Sequence, residues 1–196
     1  MKSNYLNQLA DSVGIAADIP EEEWNKLLKR AKSITLRKDE YFLRAGEIPK
    51  RIGLNVSGLL RLFYINQNGM EITKHFVLEN TPAISFSAFV LGEESKYNIQ
   101  AMEDTRLLVV DYNTYCEFLN SHICWQIAAR KFATMLFIFK EKREAELLLN
   151  TAQERYLQFL KDFPDLEGRI NQHYIASYLG ITPESLSRIR SSLRPN

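Results

Sequence analysis

Glu184 and Arg188 lie four residues apart, with Thr182, Ser185, Ser187 and Arg190 around them. These side chains suit a nucleic acid. Hydroxyls and guanidiniums bond phosphate oxygens, an arginine can donate twice to guanine O6 and N7, and a glutamate can accept from cytosine N4. Over residues 183–196, Arg188, Arg190 and Arg194 stand against the single Glu184, a local charge of +2. The whole chain carries only +1, so any nucleic-acid affinity must come from a local patch.

Two short helices and a tight turn would position these groups. Ile175, Ala176 and Leu179 repeat at helical spacing and give the first helix a small apolar face. Gly180 suits the left-handed residue that ends a helix. Thr182 then offers an N-cap hydroxyl, Pro183 takes the first helical position, and Glu184 favours the positive helix end. The second helix is expected to pack through Leu186, Ile189 and Leu193, turning Glu184, Ser185, Ser187, Arg188 and Arg190 outward. That is a helix-turn-helix whose second helix could enter a major groove. The plainer alternative is a helical hairpin that completes a core, or through which an effector-binding sensor module acts on a protein partner.

The run Ile175-Ala176-Ser177-Tyr178-Leu179-Gly180-Ile181-Thr182-Pro183-Glu184-Ser185-Leu186-Ser187-Arg188 resembles the helix-turn-helix of the Crp/Fnr (cyclic-AMP receptor-like) transcription regulators. The resemblance implies base reading by Glu184 and Arg188 and a phosphate contact by Thr182. Pro183 departs from the family pattern, which often has a basic residue there, so one base contact is in doubt. Arg44-Ala45-Gly46-Glu47, and Ser57-Gly58-Leu59-Leu60-Arg61 followed by Asn68-Gly69, are likewise typical of that family's cyclic-nucleotide-binding β-roll.

The preceding chain fits that order of elements. Residues 1–19 are weakly patterned, at most one loose helix. After Pro20, Glu21, Glu22 and Glu23 open a helix that Lys29, Arg30 and Lys32 close, with Trp24, Leu27, Leu28 and Ala31 as its expected buried stripe. Strands are predicted at Ser33–Arg37, Tyr41–Arg44, Gly53–Val56, Leu59–Ile65, Glu71–Val77, Tyr97–Ala101 and Arg106–Asp111, with turns at Gly46, Gly58 and Asn68-Gly69. Short strands at this spacing argue for a closed or double-sheet β domain. Helices follow at Asn113–Leu119, His122–Leu149 and Ala152–Asp162. The loop after Phe163-Pro164-Asp165 is too short for generous wing strands, and the chain ends three residues after Leu193, so no trailing wing is expected.

The resemblance also implies an effector pocket. Nucleotide-binding members carry a Gly-Glu pair whose glutamate grips the ribose hydroxyl, and an Arg beside Ser or Thr that grips the phosphate. The corresponding stretch, Pro82–Ile99, has neither at the matching place, and Gly92-Glu93 comes too late. The pocket candidates Phe86, Ser87, Phe89, Lys96 and Tyr97 describe an apolar site mismatched to cyclic AMP, with Lys96 as the one available cation.

The helix at His122–Leu149 is apolar nearly all round along Phe132–Phe139. A helix apolar on both sides is buried on both sides. One face is expected on the β-roll and the other on a twin helix of a second subunit, through Ala128, Phe132, Met135, Ile138 and Phe139. A monomer's core helix is the alternative.

His75, His122 and His173 fall in a strand, at a helix start and in the helix-turn-helix, so they cannot share one metal. No catalytic residues, metal or cofactor are therefore expected, and the chain is not read as an enzyme. His75 is read as a packed strand residue, with a haem ligand as the rarer possibility. Cys116 and Cys124 are too few for an iron–sulfur cluster and are expected reduced and packed. No stretch has the length of a membrane span and the first residues lack a signal-peptide layout, which points to the cytoplasm. The expectation is an α+β chain: an effector domain over 1–121 (the β-roll, a double-stranded β jelly roll), a dimerisation helix over 122–149 and a helix-turn-helix domain over 150–196. Its expected partners are double-stranded DNA bearing an inverted-repeat operator, a second copy of the chain, and an unidentified small effector.

Overall fold

At Gly58 the chain turns so tightly that a Cβ would sit 2.5 Å from the Thr105 hydroxyl and 2.6 Å from the Asp104 carbonyl. Its φ of +98° is also one that side chains rarely tolerate. In the computed structural model, which describes residues 19–193, this turn joins β3 (Arg51–Ser57) to β4 (Leu60–Ile65). It passes the chain from one sheet of a roll to the other. The first sheet runs β1 (Lys32–Leu36), β8 (Thr105–Asp111), β3, β6 (Pro82–Ala83). The second runs β2 (Tyr41–Leu43), β7 (Asn98–Ala101), β4, β5 (Glu71–Val77), and every pairing is antiparallel. Leu60, Ile99 and Leu107, all fully buried, anchor the core between the sheets. The expected β-roll is present.

Differences from the sequence reading are local. β6 and a six-residue helix, α2 (Phe86–Leu91), lie in Pro82–Ile99, the pocket stretch for which no element was predicted before Tyr97. Both are too short to display a period. In α1 (Glu21–Arg30) the expected stripe is only partly right: Trp24, Leu27 and the following Ala31 are half-buried, but Leu28 is 54% exposed and the most buried residue is Glu23. Its carboxylate accepts from Trp125 Nε1 at 2.9 Å and Lys26 Nζ at 2.7 Å. This polar anchor and the Trp24–Trp125 edge contact, with ring centroids 5.8 Å apart, together seat α1. The loose helix expected within residues 1–19 falls, but for residue 19, outside the described residues, as does Arg194.

Two capped helices follow the roll. Asp111 accepts from Thr114 N at 2.7 Å to start α3 (Tyr112–Ser121), and His122 Nδ1 accepts from Cys124 N at 3.2 Å to start α4 (Ile123–Leu149). Both cysteines are free, Cys124 buried and Cys116 half-buried. Thr151 and Glu154 form a reciprocal capping box on α5 (Ala152–Asp162). A 3-10 turn (Leu166–Gly168) leads to α6 (Gln172–Leu179) and α7 (Pro183–Ser192). Among the described residues no strand follows Asp111.

A second core lies outside the roll. Leu59, Phe76, Leu78 and Met102 on the roll share it with Phe159, Phe163, Leu166, Ile175, Leu179 and Leu186 of the C-terminal helices. Polar contacts reinforce the docking. Thr73 N donates to Ser177 Oγ at 2.9 Å, and Ser177 Oγ donates to the Glu71 carbonyl at 3.1 Å. Arg169 bridges Glu79 at 2.8 Å and Glu103 at 2.5 Å. No described helix is long and apolar enough to cross a membrane.

Candidate functional site

The helix-turn-helix forms as its caps dictate. Asn171 accepts from His173 N at 3.2 Å to start α6, and Gly180 ends it at φ +69°. The N–H of Ile181 donates back to the Ala176 carbonyl at 3.0 Å, which closes the turn. Thr182 Oγ1 then accepts from Ser185 N at 3.3 Å, Pro183 stands in the first turn, and Leu186 is fully buried. Glu184, Ser187 and Arg188 are exposed on α7. The Glu184 carboxyl is held below its usual range by its own amide, the Thr182 hydroxyl and the nearby Arg188 charge.

Not every expected group faces out. Ser185 is half-buried beneath Thr182, whose hydroxyl donates to it at 3.2 Å. Arg190 is also half-buried, drawn back to 3.6 Å from the Glu167 carboxylate, which in turn accepts from Tyr156 Oη at 2.7 Å. Leu193, expected to pack, is 37% exposed at the end of the helix.

A cavity of about 350 Å³ lies between the roll and α4. Strands β4 and β5 supply Leu62, Lys74, His75 and Val77; the β6–α2 stretch supplies Pro82, Ile84, Phe86 and Ser87. Tyr97 and residues of α4 from Phe132 to Arg143 complete it. Phe86 meets Phe132 edge-on at 5.4 Å, so α2 and α4 share a wall. Of the candidates named from sequence, Phe86, Ser87 and Tyr97 line this cavity. Phe89 does not: past the first turn of α2 it is buried between Tyr112 and Tyr115, with both ring centroids 5.2 Å away. Lys96 is exposed on the loop before β7 and is not among the lining residues.

The cations of the cavity come from elsewhere. Lys74 Nζ sits 3.9 Å from the centre of the Tyr97 ring, and burial together with the Lys140 charge lowers its pKa to about 8. His75 is 7% exposed, with its ring 4.7 Å from Phe139 and 5.6 Å from Phe163. Neither ring nitrogen has a hydrogen-bond partner among the described residues. Burial, with the charges of Lys74 and Arg143, pushes its pKa down to about 3, so the ring is neutral. Arg143 lines the cavity too: it pairs with Glu146 at 3.3 Å, stacks 3.9 Å over the Tyr178 ring and donates to the Tyr178 carbonyl. The cavity therefore touches the first helix of the helix-turn-helix through one side chain. Sequence reasoning missed Lys74 and Arg143. Its sole signal was a lysine next to a histidine inside a strand otherwise rich in apolar groups.

The long helix corrects one further expectation. Met135 is 2% exposed within this chain, facing the cavity and not a second subunit, and Phe139 packs inward on His75. Ala128, Phe132 and Ile138 are half-buried. The outward apolar groups are Ile123, Phe137, Leu148 and Leu149, between 60% and 81% exposed. Among the described residues no group of three or more His, Cys, Asp or Glu is placed to hold a metal ion.

Residues 33–122 match the family model described as cyclic nucleotide-binding domain. FixK2 from Bradyrhizobium japonicum superposes with a TM-score of 0.70 at 23% identity, over 83% of this chain and 84% of that one. A mutant form of CooA from Carboxydothermus hydrogenoformans gives 0.69 at 19%, over 98% of this chain and 84% of that one. The c-di-GMP responsive global regulator CLP of Xanthomonas campestris gives 0.70 at 10%, over 89% and 91%. No curated protein sequence matches the chain. A cyclic nucleotide-binding-type roll, a long helix and a C-terminal helix-turn-helix give this chain the Crp/Fnr fold.

Proposed function

We propose that this Crp/Fnr-type chain is a cytoplasmic, homodimeric, DNA-binding transcription regulator that senses a small effector other than cyclic AMP. The observation that carries the reading is α7: Thr182 caps it, Leu186 roots it, and Glu184 and Arg188 stand exposed on its outer face. An exposed carboxylate–guanidinium pair one turn apart is worth only a few tenths of a kcal/mol, so about 0.5 kcal/mol or less is lost when DNA takes both groups. In a groove Arg188 donates to guanine and Glu184 accepts from cytosine, while Thr182, Ser185, Ser187 and Arg190 meet phosphates. Arg190 must first leave Glu167. A two-fold dimer presents two copies of α7 to an inverted repeat.

The effector half rests on the cavity. The described residues that line it include no glutamate to hold a ribose and no arginine from the Pro82–Ile99 stretch to hold a cyclic phosphate. Each missing charge-assisted contact removes on the order of 1.5–3 kcal/mol.

Randomised-site selection on wild type and Arg188→Ala tests the DNA reading. The wild type should return an inverted repeat and bind it with an affinity that falls steeply with salt. The variant should lose about 1–3 kcal/mol per half-site and relax its preference at one base pair. An unchanged preference removes Arg188 as a base reader. For the dimer, Phe137→Glu should give monomers in light scattering, since burying that ring is worth about 1.5–3 kcal/mol per copy. Met135→Glu should damage the fold itself. A monomeric wild type at micromolar concentration refutes the interface.

A further inference from the structure

The cavity lining is lopsided in charge. Lys74, Lys140 and Arg143 face it, and no carboxylate is among the described residues that line it. The ammonium of Lys74 rests on the Tyr97 ring and is largely desolvated, with no acidic partner among the described residues. Beside it His75 is more than nine-tenths buried and offers two ring nitrogens with no partner among the described residues. Buried polar groups are ordinarily satisfied, and those left unpaired in a ligand-sized cavity mark where a ligand's polar atoms go. Apart from Ser87, the remaining walls are apolar, a mixture of aliphatic groups such as Leu62 and Ile84 and of rings such as Phe86 and Phe132.

We propose, resting on the effector-sensing reading above, that this cavity binds a small organic anion with an apolar body. Lys74 and Arg143 hold its acidic group beside His75, and its recruitment of Arg143 loosens the helix-turn-helix from the roll. Three observations define the ligand's chemistry. The cations require an acidic group; the mainly apolar walls require a mainly apolar body; the volume of about 350 Å³ sits at the small end of ligand pockets. A carboxylate or sulfonate accepts from a neutral imidazole N–H as well as from Lys74, so His75 serves without being charged.

The route outward is Arg143. In this structure its guanidinium donates to the Tyr178 carbonyl on α6 and stacks on the same residue's ring. A carboxylate or sulfonate offers the guanidinium a full opposite charge and a two-bonded, parallel geometry that a single carbonyl oxygen cannot. An acid in the cavity therefore competes for Arg143, and α6 loses a tie that Thr73 and Ser177 only partly replace.

A matched pair of probes tests the proposal on the full chain. 8-Anilinonaphthalene-1-sulfonate carries an aromatic body and one acid; N-phenyl-1-naphthylamine carries the same body without it. In fluorescence titrations the sulfonate should bind roughly tenfold or more tightly than the amine. Lys74→Met keeps an unbranched apolar side chain over Tyr97 and removes a desolvated charge, so it should fold at least as well as wild type, which a melting curve checks. It should abolish the preference for the sulfonate while leaving the amine's affinity unchanged. Saturating wild type with the sulfonate should speed amide hydrogen exchange in residues 172–179, and Arg143→Gln should show that faster exchange without any probe. Equal affinities for the two probes, or an unaltered preference in Lys74→Met, overturn the ligand class. Unchanged exchange on saturation overturns the route through Arg143. The DNA selection is run without a probe: its failure alone sinks the regulator reading, and failure here with selection intact sinks only this proposal.

Discussion

Arg188 and Arg143 put the same side chain to opposite uses. Arg188 stands exposed on α7 with Glu184 one turn away, so solvent carries its charge until another partner arrives. Arg143 is 14% exposed in its side chain and committed three ways, to Glu146, to the Tyr178 carbonyl and to the Tyr178 ring. Removing a solvated charge costs a fold almost nothing; removing a partnered, half-buried one leaves its partners unsatisfied. The outer face of α7 can therefore vary at little cost to the fold, while the cavity is tied to the stability of the chain.

Arg143→Ala separates the two uses most sharply. It should cost on the order of 1.5–3 kcal/mol in chemical denaturation, because the Tyr178 carbonyl and Glu146 lose a charged donor. A loss near zero would mean that water replaces the guanidinium and that Arg143 is no more committed than Arg188. The next effect concerns His75. Its folded pKa of about 3 lies below the ordinary value of 6.5, so between those values the unfolded chain binds the extra proton. Stability from this group is complete above pH 6.5 and falls by about 1.4 kcal/mol for each unit below it, until the folded pKa is reached. His75→Phe, which keeps a ring between Phe139 and Phe163, should remove that share of the acid sensitivity between pH 7.5 and 5.5. An unchanged slope would place the titration elsewhere. The smallest effect is expected at Arg188→Ala, which should alter stability by no more than about 0.5 kcal/mol. A larger loss would show that the free chain already uses this arginine.

The same contrast explains what was legible beforehand. The helix-turn-helix depends on neighbours in sequence: a cap three residues from its donor, a glycine at a helix end, apolar groups at helical spacing. Each leaves a local mark, and Thr182, Gly180 and Leu186 do what their types suggest. The β-roll was readable for similar reasons at Gly58 and at the hairpin, where the Asn66 side chain accepts from the Asn68 and Met70 amides. Phe89 was misplaced because a six-residue helix has too few turns to reveal which way its side chains point, and Lys96 because it lies on the exposed loop beyond that helix. Arg190 was misjudged because its partner, Glu167, lies 23 positions earlier, on the far side of a turn.

By itself, then, the sequence determined the element order, the caps, the exposure of Glu184 and Arg188 on α7 and the absence of a nucleotide-gripping pair in Pro82–Ile99. All of these are consequences of residue type and short-range spacing. Only the tertiary structure decided that Lys74 and His75 share a cavity with Arg143, nearly 70 residues further on, and that Met135 is buried while Phe137, at the cavity's edge, is exposed. It also decided that α6 rests on β5 through Ser177. Those outcomes depend on how a long helix, apolar on nearly every side, rotates against a closed roll. An all-round apolar surface has no preferred face of its own, so the partner it packs against makes the choice.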